Sequence, residues 1–224
     1  MTNNGMAYNI DLVMCIDGTG SMSPYIEEVK RNALSYRKKL VEQMERNDRN
    51  LAALRIKVIV FRDYAVDKNP MVISPFFTLS DDQNDESAMF NAFVQNIEAT
   101  GGGDSPENAL EALAYAIKSD WSHPEGRYRQ VIQLFTDAPA LPLKERAFSK
   151  KYPNDLPADF DELTELWHSM SPRAKRLYIF APDAPGWNQF NEWERTLLTY
   201  TNAGVGCGEI DIENLITMVL GSCV

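Results

Sequence analysis

Apolar and polar positions in this chain switch repeatedly between two periods. Ile10 to Ile16 is a nearly continuous apolar run, interrupted by Asp11, and predicts a buried strand. From Pro24 to about Met44, the apolar positions Ile26, Val29, Ala33, Tyr36, Leu40 and Met44 return every three or four residues and predict one long helix. Leu54 to Phe61 alternates and then becomes wholly apolar, as a central strand does. A β-rich run follows over Pro70 to Thr78, which Pro75 confines to a sheet edge. Helices are expected over Ser87 to Glu98, with Met89, Phe93 and Ile97 on one face, and after Ser105-Pro106, with Leu110, Leu113, Ala114 and Ile117 apolar. Val131 to Phe135 and Arg176 to Ala181 read as strands, with a helix over Asp161 to Met170 between them. The C-terminal part predicts a helix over Phe190 to Leu198, a Gly-rich approach from Gly204 to Gly208 to a last short strand, and a final helix capped by Asp211. Strands alternating with helices predict an α/β fold: a doubly wound, mostly parallel sheet with helices on both faces.

Two segments follow neither period. Ser80 to Glu86 is acidic, but Asp81, Asp82 and Asp85 lack the Gly and terminal Glu of a calcium loop, so they read as charge at the start of the next helix. Leu141 to Asp159 is rich in Pro, Lys and Asp and too long for a tight connection; it reads as a surface excursion beside the functional face, suited to choosing a partner.

Composition narrows the function. The net charge of −10 on 224 residues disfavours nucleic acid and anionic membranes as partners, both being polyanions. Cys15, Cys207 and Cys223 are widely spaced and odd in number, which argues against a disulfide framework and for a reducing compartment. Met1 to Asn9 is polar with no signal-peptide core, and no apolar run approaches the ~20 residues that span a bilayer. The expectation is a soluble, cytoplasmic protein.

Candidate chemistry clusters at strand ends. The first strand runs into Asp17, with Thr19 and Ser21 following at alternate positions between glycines. Three hard oxygen donors at that spacing suit a Mg²⁺-sized cation. The same residues also fit a polar strand-to-helix turn with Ser23 as N-cap and Pro24 at the first helical position. Gly101-Gly102-Gly103 allows a close backbone approach, but the Gly-Lys of a phosphate-binding loop is missing; Asp104 and Glu107 follow instead.

These motifs carry a family resemblance. Asp17-x-Thr19-x-Ser21 after an apolar strand resembles the Asp-x-Ser/Thr-x-Ser element of von Willebrand factor A (vWA) domains, where it forms the metal-ion-dependent adhesion site, or MIDAS. Gly101-Gly102-Gly103-Asp104-Ser105-Pro106-Glu107 resembles a loop of some intracellular, bacterial-like vWA proteins and the Asp-x-Pro-Glu loop of integrin β-chain vWA-like domains. Thr136-Asp137, ending a buried strand, resembles a third vWA element. The resemblance spans roughly Tyr8 to Leu220 and implies one domain over residues 8–220, a tail over residues 1–7, and a six-stranded sheet with one antiparallel edge strand. It also implies that Asp17 and Asp137 end adjacent strands, where a divalent cation would relieve their repulsion. The implied cation is Mg²⁺, or Mn²⁺ or Ca²⁺. Its implied ligands are Asp17, Thr19, Ser21, Glu107 and Asp137, with Asp104 on the same ion or a neighbouring one. A second cation held by Asp63, Asp104 and Glu107 is a further expectation; against it stands a pairing of Asp63 with Arg62. Ser23, Pro24 and Tyr25 replace the acids that hold a different adjacent ion in integrin β-chains.

The resemblance implies a module without catalysis, in which a partner's Asp or Glu completes the coordination of the ion. Expected partners are other proteins, with AAA+ ATPases, kinases and phosphatases among those served by intracellular relatives. The competing reading is an enzyme. Asp17-Gly18-Thr19-Gly20 superficially resembles the nucleophile motif of haloacid dehalogenase-type phosphotransferases, which would make Asp17 the nucleophile, but the later acidic pair is absent, since Ala138 follows Asp137. His123 and His168 read as a loop and a helix-surface residue, which leaves no Ser-His-Asp set. In a third reading the fold is retained with its metal site unused, and partners bind the helices or the excursion.

Overall fold

The first strand, β1 (Met6–Asp17), sends alternate side chains to opposite faces of a single sheet. Ile10, Leu12, Met14 and Ile16 enter one core, whereas Val13 and Cys15 enter the other. The computed structural model describes residues 6–80, 85–102, 106–205, 207 and 210–223. β1 begins inside the expected N-terminal tail and lies between β2 (Arg49–Phe61) and β5 (Arg127–Phe135), parallel to both. β6 (Lys175–Pro182) and β7 (Thr196–Thr201) continue the parallel array beyond β5. Helices α1 (Ser23–Asn32), α2 (Tyr36–Glu45), α3 (Asp85–Gln95) and α6 (Ile212–Ser222) cover the first face. α4 (Ala109–Ile117) and α5 (Phe160–Ser169) cover the second. This is the doubly wound arrangement that the periodicity predicts.

The antiparallel edge is present but split. β3 (Met71–Ile73) and β4 (Phe77–Leu79) both pair with the outer edge of β2, so seven strands fill six positions. Pro75 lies in the break, where it has no N–H for the ladder. The Ser74 hydroxyl takes over there, accepting from Val58 N at 2.9 Å.

Three expectations need correction. The long helix is divided by a 3-10 turn over Ala33–Ser35, although each of its six expected apolar positions is buried. Of the face expected for α3, Ile97 is buried just past the helix end and Phe93 packs against the core, but Met89 is exposed and Phe90 and Val94 are buried in its place. The largest miss is at Phe190 to Leu198, which is no helix. A 3-10 turn over Asn188–Glu192 leads into β7, and the last strand therefore precedes the Gly-rich segment instead of following it. A 3-10 turn brings residues three apart onto one face, so Phe190 and Trp193 meet edge to face at 4.8 Å and bury together against Phe160 and Trp167. Arg195, at φ 62°, ends that turn, and the β-prone Thr196-Leu197-Leu198-Thr199-Tyr200-Thr201 then pairs along β6. Asp211 does cap α6, accepting from Glu213 N. Gly206, Gly208 and residues 81–84, which include Asp81 and Asp82, lie outside the described residues. Among the described residues, no helix is long and apolar enough to cross a membrane.

Candidate metal centre

The strand order β3-β2-β1-β5-β6-β7 reverses direction between β1 and β5. Open α/β sheets bind ligands at such a reversal, outside the carboxyl ends of the strands. Asp17 is the last residue of β1, and Asp137 lies two residues past the end of β5. Both are buried, Asp17 completely.

The hydroxyl residues between β1 and α1 are not helix caps. Neither Thr19 nor Met22, at the two N-cap positions, makes a side-chain capping bond, and α1 begins at Ser23 with Pro24 in its first turn. The hydroxyls turn to the carboxylates instead. Thr19 donates to Asp17 Oδ1 through its backbone N at 2.9 Å and its Oγ1 at 2.6 Å. Ser21 Oγ donates to Asp137 Oδ1 at 2.9 Å and lies 3.4 Å from Thr19 Oγ1. Thr136 Oγ1 closes the ring from below, donating to Asp17 Oδ2 at 2.7 Å and accepting from Ala138 N at 3.1 Å. Thr136 stands in the third sequence motif but was not expected to act there. It positions Asp17.

Electrostatics favour a cation at this point. Burial pushes the Asp17 carboxyl up to about 6, against the hydrogen bonds from Thr19 and Thr136, and the charge of Asp137 pushes the same way as burial. The donors are all hard oxygens. An octahedral ion with oxygens about 2.1 Å away separates neighbouring ligand atoms by roughly 3 Å. The separations along Asp17, Thr19, Ser21 and Asp137, from 2.6 to 3.4 Å, lie near that value. The residues present therefore fit a Mg²⁺-sized ion.

Glu107 is buried close by: a Cβ on Gly102, which packs on Thr19, would also stand 3.7 Å from Glu107 Oε1. Its N donates to Pro139 O and its O accepts from Leu141 N at 3.0 Å, which ties the third motif to the second. Among the described residues, no three Asp, Glu, His or Cys side chains gather closely enough to hold an ion by themselves, so an ion at this point would also need the hydroxyls. Asp104 lies outside the described residues. Gly102, at φ 79°, packs its backbone against Thr19: a Cβ there would stand 2.8 Å from Thr19 Cβ. Gly102→Ala is therefore expected to displace the Thr19 hydroxyl and weaken divalent-ion binding about tenfold or more. The global cost should stay near 1–2 kcal/mol, that of a left-handed alanine. Calorimetric titration with parallel denaturation checks both; unchanged ion affinity would remove Thr19 from the site.

Asp63 did not meet its expected neighbours. It is fully buried, and its Oδ2 accepts from Arg146 Nε at 2.7 Å. Arg62 turns away from it and clasps backbone carbonyls: Gly18 O at 3.0 Å, Thr100 O at 2.8 Å, Asn69 O at 3.3 Å and Glu98 O at 2.5 Å. The expected pairing of Asp63 with Arg62 is thus replaced by one with Arg146, from the Leu141 to Asp159 excursion. No local sequence pattern joins residues 63 and 146. His123 and His168 are both exposed, and His123 precedes β5, at the end of the sheet away from Asp17.

Comparison with known proteins agrees with this geometry. The family model of the von Willebrand factor A domain matches residues 11–146, more than half of the chain. The alpha-protein kinase vwkA of Dictyostelium discoideum is 26% identical over 148 residues, covering 66% of this chain and 21% of the kinase, so the chain spans about a fifth of that relative. The crystal structure of the pilus adhesin SpaC from Lactobacillus rhamnosus GG matches 96% of this chain and 30% of the adhesin. The TM-score is 0.55 at 10% identity, a likeness of fold alone.

Proposed function

This chain belongs to the von Willebrand factor A domain family, and from that premise we propose that it is a metal-dependent protein-interaction module, with Mg²⁺ or another hard divalent ion joining it to an Asp or Glu of a partner protein. One observation carries the reading: Ser21, from the first motif, reaches Asp137, in the third, across 116 residues of sequence. Asp17, Thr19, Ser21 and Asp137 would hold the ion, with Glu107 beside Gly102 and Asp104 from the same loop as further ligands. The ion supplies a positive centre that a partner carboxylate can complete. What the chain itself does is hold two buried carboxylates and two hydroxyls in register and keep their charge away from water.

The phosphotransferase alternative gains no support from the geometry. Asp17 has no accessible surface, and both its oxygens accept hydrogen bonds, a poor state for an attacking nucleophile. We accordingly assign the module no reaction of its own. The kinase relative is compatible with a role as the recognition part of a larger assembly, and a kinase, a phosphatase or an AAA+ ATPase remains the proposed kind of partner. Three buried thiols fit a cytoplasmic setting.

Titration of Mg²⁺ and Mn²⁺ into chelator-treated protein tests the proposal. One saturable site is expected in the wild type, and none in Asp17→Ala/Asp137→Ala. With Arg146 on Asp63, a second class of site is not expected. No binding at millimolar ion by a folded wild type would defeat the reading.

A further inference from the structure

The excursion after β5 is basic where the molecule as a whole is acidic. Lys144-Glu145-Arg146-Ala147-Phe148-Ser149-Lys150-Lys151 carries four bases and one acid, in a chain of net charge −10. It is also fastened down. Arg146 bonds Asp63, Ser149 Oγ donates to Tyr64 O at 2.6 Å, and Lys151 Nζ donates to Asp67 O at 2.5 Å. Phe148 lies between two of these fasteners and is nevertheless 73% exposed. Across from it, Val66 on the loop leaving β2 is exposed as well. Loop contacts on both sides hold an aromatic ring in water, an arrangement that favours association with something else.

Beside this ridge lies a groove of about 430 Å³ between β3, α4 and the fastened loop. Met71, Ile73 and Tyr115 line it, together with Lys68 and Lys151. A chain of contacts leads from the groove to the metal loops: Lys68 in its lining follows Asp67, which packs on Gly101. Asp67 Oδ1 occupies the place of a Gly101 Cβ, 2.0 Å from where that atom would sit, and Gly102 packs directly on Thr19.

We propose that this basic, apolar groove is the second half of the partner site. It takes an extended acidic segment bearing an aliphatic or aromatic residue, contiguous with the Asp or Glu offered to the metal centre; this rests on the metal-dependent reading above. The apolar contact with Phe148, Val66 and the groove wall supplies hold, and the lysines select for flanking acids. An anionic bilayer fits less well. It would meet the charge of the whole acidic molecule, whereas a short segment meets the local patch within a Debye length.

The probe is a panel of labelled short peptides with one fixed Asp, in acidic and neutral backgrounds, with and without Leu or Phe scanned around it, measured by polarisation in Mg²⁺ and in chelator. The wild type should prefer acidic peptides bearing Leu or Phe about tenfold over the others, the worth of a well-buried side chain. Phe148→Ser and Lys68→Glu, both at exposed positions, should each erase that preference and leave Mg²⁺ binding unchanged. The proposal fails if the wild type shows no preference, or if the variants keep it. It also fails if phosphatidylserine vesicles, instead of peptides, are bound in a lysine-dependent way. Failure of the metal reading would look different: no Mg²⁺ isotherm, with any peptide preference indifferent to chelator.

Discussion

Asp17→Asn is expected to stabilise the metal-free protein at pH 7 and, in the same step, to abolish its response to divalent ions. The folded-state pKa of Asp17 is raised, by burial first, from the ordinary 3.8 to about 6. Between those values the native state binds more protons than the unfolded chain, so this carboxyl makes stability fall as pH rises. The penalty is complete above about pH 6. A shift of about two units corresponds to about 3 kcal/mol, and the amide avoids it. Asn still offers an oxygen to Thr19, and its amide can donate to Thr136 Oγ1, which already accepts from Ala138 N. A gain of about 1–3 kcal/mol is therefore expected in chelator at pH 7, shrinking toward zero near pH 4. With Mg²⁺ at saturation the order should reverse, because only the wild type is stabilised by binding. Urea denaturation at both pH values, with and without the ion, decides it. A variant less stable than wild type in chelator at pH 7 would mean that the carboxylate pays no burial penalty and that the site is not built around a missing positive charge.

This trade is what the sequence made legible, and only in part. The placement of the first and third motifs could be read because each donor directly follows an apolar strand, and strand ends fix position within the sheet. The ring was visible for the same reason: Asp17, Thr19, Ser21 and Asp137 lie in two short segments whose strands neighbour each other. What escaped depends on contacts between distant segments. Asp63 could be seen as a buried acid leaving a strand, but its partner Arg146 comes from a loop with no periodicity, 83 residues away. Arg62 stood next to Asp63 in sequence and looked like its partner, yet just past the end of β2 the two side chains turn to different neighbours, Arg62 to loop carbonyls and Asp63 to Arg146. The missed strand has a related cause. Phe190 to Leu198 has enough apolar residues for a helix, but the edge-to-face packing of Phe190 on Trp193 and the free edge of β6 outweigh local preference.

Arg62 is where fold and site depend on one side chain, and Arg62→Met should show it. The guanidinium is almost fully buried and reaches carbonyls from three loops: Gly18 behind β1, Asn69 before β3, and Glu98 and Thr100 after α3. Gly18 has no room for a side chain, since a Cβ there would stand 2.6 Å from Arg62 Cζ. Met keeps much of the aliphatic volume and removes every donor. Buried acceptors left without a partner cost about 1–3 kcal/mol each, and those at the rim recover water. A net loss of about 3–4 kcal/mol is expected. Because Gly18 joins Asp17 to Thr19, loosening it should also weaken Mg²⁺ binding about tenfold or more, the equivalent of about 1.4 kcal/mol. Arg62→Lys should fall between, since one ammonium cannot span carbonyls that a planar fork reaches together. Arg55→Met is the control. Arg55 bonds Asp11 in a bidentate pair earlier along β1, at 2.8 and 2.6 Å, so its loss should lower stability and leave ion affinity alone. If Arg62→Met lowers stability but binds Mg²⁺ like the wild type, the clasp serves the fold only, and the rigidity of the metal loop must come from Thr136 and the β1–β5 pairing instead.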